Sequence, residues 1–221
     1  MTAPDHPGNF AAGTPAELRL DFAAHPFWDE LQSLPHALVC EKSGSTCVQE
    51  EGGPAYVLEF LGRPWILRPA DRSCSPPPGS PEPGYEVKVV LLAYLAMAAT
   101  GPSPGLAGRE TGPHGLPGGD LFFKGPHDLP KAQLADAFGE EPEALARAAE
   151  ALGAESIGKL AWKIRILPLV EIYWYLEPSD DEFPAEARYN FDAHVCYYLT
   201  LDMLFMLTNY LADRLIALKG A

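Results

Sequence analysis

Cysteine is scarce in this chain, and its arrangement carries no metal pattern. The thiols are Cys40, Cys47, Cys74 and Cys196. No two form a CxxC pair, and the spacings fit neither a zinc site nor an iron–sulfur cluster. One metal arrangement remains open, in which Cys40 and Cys47 join a distant histidine. Basic residues are also scarce. Lys and Arg number 16 against 30 Asp and Glu, a net charge of −14. Nucleic-acid binding needs clustered cations, and so does adsorption to an anionic membrane. Neither partner is expected. An acidic surface also has a plain reading, which is solubility.

Long apolar runs are missing. The most apolar stretch, Val87 to Ala99, is too short to span a bilayer and contains Lys88. The first residues, Met1 to Gly8, are polar and lack the apolar centre of an export signal. A cytoplasmic protein with reduced thiols is therefore expected.

What is present suffices for a packed core. Apolar residues make up 47% of 221 residues, which predicts one globular domain over 1–221. Residues 1–13 are expected to be flexible, with long loops at 73–84 and 101–119. Thr14, Pro15 and Glu17 read as a helix start, by capping box and first-turn proline. That helix should reach Ala24, break at His25-Pro26 and resume over Phe27 to Leu34. Residues 36–73 read as a small β-meander, with extended runs at Thr46–Gln49, Ala55–Leu61 and Pro64–Arg68. In the middle run Tyr56, Leu58 and Phe60 share one face.

Tyr85 to Ala99 is apolar nearly all round and predicts a buried central helix. A strand over Val87 to Leu92 is the alternative. Lys131–Phe138 and Pro142–Leu152 read as short helices, each stopped by a glycine. Trp162, Ile164 and Ile166 form a strand ended by Pro168. Val170 to Leu176 and Ala185 to Phe191 alternate as a hairpin. The expected register pairs Leu176 with Ala185, Trp174 with Ala187, Ile172 with Tyr189, Val170 with Phe191 and Tyr173 with Arg188. Thr200 caps a final helix with a leucine stripe at 204, 207, 211, 215 and 218. Strands and helices do not alternate. The fold class is α+β, with antiparallel sheet from two strand groups packed on a central helix and terminal helices. The two groups could share one sheet.

The segment Gly118-Gly119-Asp120-Leu121-Phe122-Phe123-Lys124-Gly125-Pro126-His127-Asp128-Leu129-Pro130 places two acids, a lysine and a histidine inside a Gly- and Pro-bounded stretch. Asp120 and His127 could share a proton or a metal, and Lys124 could meet a carboxylate or phosphate. The plain structural alternative is that Asp128 caps the helix near Pro130 and Asp120 holds the Gly-Gly turn. No Gly-Lys-Ser/Thr follows, so this is no P-loop. Asp180-Asp181-Glu182 and the pair Asp192 and His194 are further candidates, for a hard cation or acid–base pairing. A solvated hairpin tip is the plain reading of the first. There is no Gly-x-Ser-x-Gly elbow.

The segment 118–130 resembles the signature of an uncharacterised prokaryotic family, the domain-of-unknown-function 3786 family. The resemblance continues through Leu167-Pro168-Leu169, Asp181-Glu182-Phe183-Pro184-Ala185 and Asn190-Phe191-Asp192, covering roughly residues 15–215. Some relatives look like fusions to an iron–sulfur module found beside corrinoid proteins of one-carbon metabolism. This chain lacks the cysteine run of that module. The resemblance implies an anaerobe-associated soluble domain and supplies no reaction.

These readings predict a binding or accessory domain for a small cofactor or a partner protein, with the cofactor unassigned. The expected pocket lies where the Asp120–His127 loop meets the Pro168–Asp192 hairpin. Asp120, Lys124, His127 and Glu182 would supply polar contacts, and Phe122, Trp174 and Tyr189 apolar ones. Two alternatives stand beside it: a metal-assisted hydrolase using His127, Asp120 and His194, and a pure interaction subunit whose acidic surface docks a basic partner, which requires an exposed apolar patch in place of a pocket.

Overall fold

A computed structural model describes residues 21–80 and 84–220. The helix start at Thr14 and the segment 1–13 lie outside the described residues. Phe22–Ala24 is a single 3-10 turn, capped by the Asp21 side chain. After His25-Pro26 the chain resumes as helix α1 (Phe27–Ser33).

Helix α2 (His36–Ser43) replaces the start of the expected meander. Pro35 precedes it, and Gly44 ends it at φ 72° with its N–H bonded to the Cys40 carbonyl. That is the usual glycine stop. Its apolar residues form no sustained stripe, which is why periodicity did not reveal it. Then come β1 (Thr46–Glu50), β2 (Gly53–Phe60), β3 (Arg63–Arg68) and β4 (Ser73–Ser75). They form one antiparallel sheet in sequence order. Strand β4 lies inside the stretch expected as loop, where three residues pair with the edge of β3. Tyr56, Leu58 and Phe60 are buried together as the alternation required.

Helix α3 (Tyr85–Thr100) is the central helix. Ten of its residues are buried, and it packs on α1 and α2. Each buried Val or Leu contributes roughly 1.5–3 kcal/mol, so an all-round apolar helix is stable only when enclosed. The segment 101–119 is mostly irregular but contains β5 (Glu110–Thr111). Helices α4 (Gly119–Phe122), α5 (Lys131–Phe138) and α6 (Pro142–Ala151) follow. Next are β6 (Glu155–Gly158), β7 (Ala161–Leu167), β8 (Val170–Glu177), β9 (Glu186–Asp192) and helix α7 (Leu201–Leu218). Thr200 caps α7 by accepting from Met203 N–H. The α7 leucines at 204, 207, 211 and 215 are buried, against a core that includes α3, α5 and α6. Strand β6 was not foreseen: it is a short edge strand, exposed throughout, with no alternation to betray it.

The fold is α+β, and its strands make two sheets rather than one. The second sheet runs β5-β9-β8-β7-β6. The two approach through β2 and β7, and the Leu61 N–H donates to the Ile166 carbonyl at 3.0 Å.

The β8–β9 hairpin keeps the expected faces but slips by two residues. Leu176 pairs with Ala187, Trp174 with Tyr189, Ile172 with Phe191, Tyr173 with Asn190 and Tyr175 with Arg188. A shift of two preserves every side-chain face. It follows from the connection. The Asp180 carboxylate accepts the Glu182 and Phe183 N–H groups, closing a turn that leaves Pro184 outside the ladder. Proline has no N–H to give to a pairing with Glu177.

Candidate binding site

The predicted site residues do not converge. Asp120 pairs with His114 Nδ1 rather than with His127. The His127 ring stacks on Phe122 at 4.6 Å and meets Phe205 edge-on at 5.5 Å. Asp128 does not cap α5; Pro130 takes that position, and Asp128 pairs with Lys131 at 2.9 Å. Lys124 is exposed. Gly118 and Gly119 serve the turn themselves. Gly118 sits at φ 78°, and a Cβ on Gly119 would lie 2.0 Å from the Pro113 carbonyl oxygen. Trp174 and Tyr189 face the core and are fully buried, so neither can touch a ligand at the surface. The Trp174 Nε1 and Tyr189 hydroxyl find no hydrogen-bond partner among the described residues. Glu182 is exposed on the hairpin tip, where Asp180 organises the backbone. Those two N–H bonds hold the Asp180 carboxyl below its usual range.

Asp192 is completely buried and works as an anchor. Its carboxylate accepts from the N–H groups of Ala107, Gly108 and His194 at 2.9–3.0 Å. His194 Nδ1 lies 3.0 Å from the Gly105 carbonyl, and its ring meets Tyr197. The Tyr198 hydroxyl also holds Gly105, accepting its N–H at 2.8 Å. The Gly- and Pro-rich stretch after α3 is thus pinned at its middle. His127 and His194 occupy separate aromatic settings. Among the described residues no group of three or more His, Cys, Asp or Glu converges to hold a metal ion.

A cluster that the sequence reading missed occupies the outer face of the five-stranded sheet. The core takes Trp162, Ile164, Ile172, Trp174, Tyr189 and Phe191. Alternation then turns Lys163, Arg165, Glu171, Tyr173, Tyr175, Arg188 and Asn190 outward. The Glu171 side chain is 7% exposed and accepts from Arg165 Nη2 at 3.0 Å and from the Tyr173 hydroxyl at 2.9 Å. Burial, then the bond to Glu171, pushes the Tyr173 phenol well above its usual range. Glu110 of β5 accepts from the Tyr175 hydroxyl at 2.6 Å and from Asn190 Nδ2 at 3.1 Å. Burial first, and Glu110 second, push the Tyr175 phenol up to about 12. The Arg188 guanidinium lies over the Tyr175 ring, 4.1 Å from its centroid.

Beside Tyr175 and Arg188 the surface opens into a groove of about 330 Å³, lined also by Lys159, Leu160, Ala161 and Glu177. Leu160 holds φ 112°, a region L-residues rarely adopt, next to a register shift between β6 and β7. Strained residues and bulges concentrate where a chain must present a particular surface. A second groove of about 240 Å³ lies around Glu59, Gly62, Leu152 and Arg165. Neither groove touches the 118–130 segment. Leu121 of that segment is 83% exposed and Phe183 of the hairpin tip 67%.

No helix among the described residues is long and apolar enough to cross a membrane. The model of the family described as "Domain of unknown function (DUF3786)" matches residues 36–214, so the chain belongs to that family. No curated protein and no solved structure matches.

Proposed function

We propose that this member of the DUF3786 family is a binding domain for a small anionic ligand, a carboxylate or phosphate ester, held in the groove beside Tyr175. One observation carries the reading. In a chain of net charge −14, Arg188 and Lys159 line one groove, and Arg188 is already oriented on an aromatic ring. Stacked arginine loses little freedom when it takes an oxyanion in its planar fork. Leu160, Ala161 and Tyr175 supply apolar wall, and Glu177 offers an acceptor for a ligand hydroxyl or ammonium. Ligand sites combine these ingredients.

The groove volume sits at the lower end for small-molecule sites, roughly 300–1,000 Å³. A corrinoid macrocycle exceeds it. A link to corrinoid or one-carbon metabolism would therefore run through a partner protein. The proposed setting is cytoplasmic, in keeping with thiols outside disulfides and a charge unsuited to nucleic acid.

The test is saturation-transfer NMR with phenyl phosphate, benzoate and inorganic phosphate. Phenyl phosphate should bind through both ring and anion. Removing one charge-assisted partner forfeits about 1.5–3 kcal/mol, so Arg188→Ala should weaken it tenfold or more. His127→Ala should leave it unchanged. Absence of transfer to every anion, or equal binding by the Lys159→Ala/Arg188→Ala double variant, would refute the reading. Loss of binding in His127→Ala with Arg188→Ala unaffected would return the site to the 118–130 segment.

A further inference from the structure

The smaller groove opens where the two sheets meet. Strand β6 covers the edge of β7 only as far as Lys163, which pairs with Glu155. Further along, the two-residue turn between β2 and β3 reaches across, and the Leu61 N–H takes the Ile166 carbonyl. Leu61 and Gly62 both hold left-handed backbone in that turn, at φ 51° and 67°. Between these two points no strand among the described residues pairs with the edge of β7, and Ile164 and Arg165 line the groove there. Leu152, at the C-terminal end of α6, and Glu59 of β2 close its sides. The space is about 240 Å³, room for roughly eight waters at about 30 Å³ each. Two opposite charges face it. The Arg165 guanidinium gives Nε and Nη2 to Glu171 Oε1 at 3.2 and 3.0 Å, and the Glu171 side chain is 7% exposed. That buried carboxylate fixes the guanidinium, while Nη1 has no partner among the described residues. A register shift in β7 directly after Arg165 is the kind of irregularity that re-aims a side chain. The Glu59 carboxylate is exposed and makes no hydrogen bond or ion pair among the described residues.

We propose that this groove binds a free α-amino acid with a short aliphatic side chain, at a site separate from the groove beside Tyr175. Arg165 takes the carboxylate. A guanidinium has five N–H donors, so one already held by Glu171 still has donors for a second carboxylate, and its fixed orientation lowers the cost of that contact. Glu59 takes the ammonium, helped by the C-terminal end of α6 at Leu152, where the helix dipole favours positive charge. Ile164, Leu167 and Pro168 form the wall for the side chain. A zwitterion suits a groove that offers one charge of each sign, because neither charge is left unanswered. The volume limits the ligand to about the size of leucine and shuts out longer peptides, which would also place their uncharged amide groups against Glu59 or Arg165.

Saturation-transfer NMR on the full chain with leucine, N-acetylleucine and leucinamide tests the proposal. Leucine should receive saturation at its methyl groups. N-acetylleucine lacks the ammonium and leucinamide the carboxylate, and each lost charge-assisted contact should weaken binding about tenfold or more. Removing charges from the ligand probes Arg165 without disturbing its pair with Glu171. On the protein side Glu59→Gln, an exposed position, should weaken leucine about tenfold or more while N-acetylleucine stays as it was. Arg188→Ala should leave leucine binding unchanged, and phenyl phosphate should not displace leucine. The proposal is overturned if leucine receives no saturation, or if either analogue binds as well as leucine. It is equally overturned if Glu59→Gln binds leucine like the wild type, or if phenyl phosphate displaces it.

Discussion

The Tyr175 hydroxyl donates to the Glu110 carboxylate at 2.6 Å, joining the two-residue edge strand β5 to the central strand β8. The bond stabilises the neutral phenol, adding to the larger effect of burial that raises its pKa to about 12. Glu110→Gln should therefore lower the Tyr175 pKa while leaving it above 10. Ultraviolet titration of tyrosinate, with Tyr175→Phe as the reference, reads this directly. An unchanged titration in Glu110→Gln would remove Glu110 from the account.

The same shifts set the alkaline limit of the fold. Tyr94, Tyr173, Tyr175 and Tyr189 all hold their protons more tightly when folded, chiefly through burial. A phenol in the unfolded chain releases its proton near pH 10. Between that value and its raised folded value, the folded state binds more protons than the unfolded one. Stability from these groups is complete below about pH 10 and falls as pH rises through the folded values. Denaturant midpoints should drop from about pH 10 to 12, with the onset of the drop unaffected by salt. A midpoint that rises over this range would contradict the sign.

Asp192→Ala should destabilise the protein by about 3 kcal/mol or more. It removes the buried carboxylate that three partly buried N–H groups share, and a hydrogen bond to a charged group contributes about 1.5–3 kcal/mol. Hydrogen exchange should speed up first at Ala107 and Gly108, before the sheet itself responds. Uniform loss of protection would mean that Asp192 supports the whole core rather than this loop.

Gly119→Ala should cost roughly 1–3 kcal/mol, because its Cβ would collide with the Pro113 carbonyl, a backbone atom with little freedom to retreat. Gly118→Ala, strained by the left-handed backbone alone, should cost about 1 kcal/mol. Urea melts rank the two. The reverse ranking would show that turn conformation outweighs the close contact.

His127→Ala should lose its ring contacts with Phe122 and Phe205, about 0.5–1.5 kcal/mol each. The expected result is a lower unfolding midpoint with anion binding intact.

The parts legible in the sequence were those whose signal is periodic. Tyr85–Thr100 declared itself by apolar residues on every side, α7 by its leucines, and the β8–β9 faces by strict alternation. Helix α2 was hidden because its eight residues carry no continuous stripe, although Pro35 and Gly44 bracket it. The outer-face cluster was half visible. Glu171, Tyr173, Tyr175 and Arg188 stood in the alternating pattern as the polar face. Their partner Glu110 comes from a Gly- and Pro-rich stretch with no periodicity, and only the three-dimensional path of residues 101–112 brings it to them. The 118–130 segment attracted attention because chemically versatile residues are dense there. Their partners are the nearby His114, Phe122 and Lys131, together with Phe205 of α7.

The connectivity of the two sheets has a kinetic consequence. The first sheet pairs neighbours in sequence order, each closed by a short connection. Loops of that length cost little entropy to close, and such pairings form early. Strand β5 must instead find β9, where Glu110 and Asn190 stand 80 residues apart. The groove wall at Tyr175 and its carboxylate brace should therefore be among the last features to mature. A refolding chain would acquire its protected α3 core before it acquires any affinity for an anion, and pulse-labelled exchange alongside ligand capture would separate the two events in time.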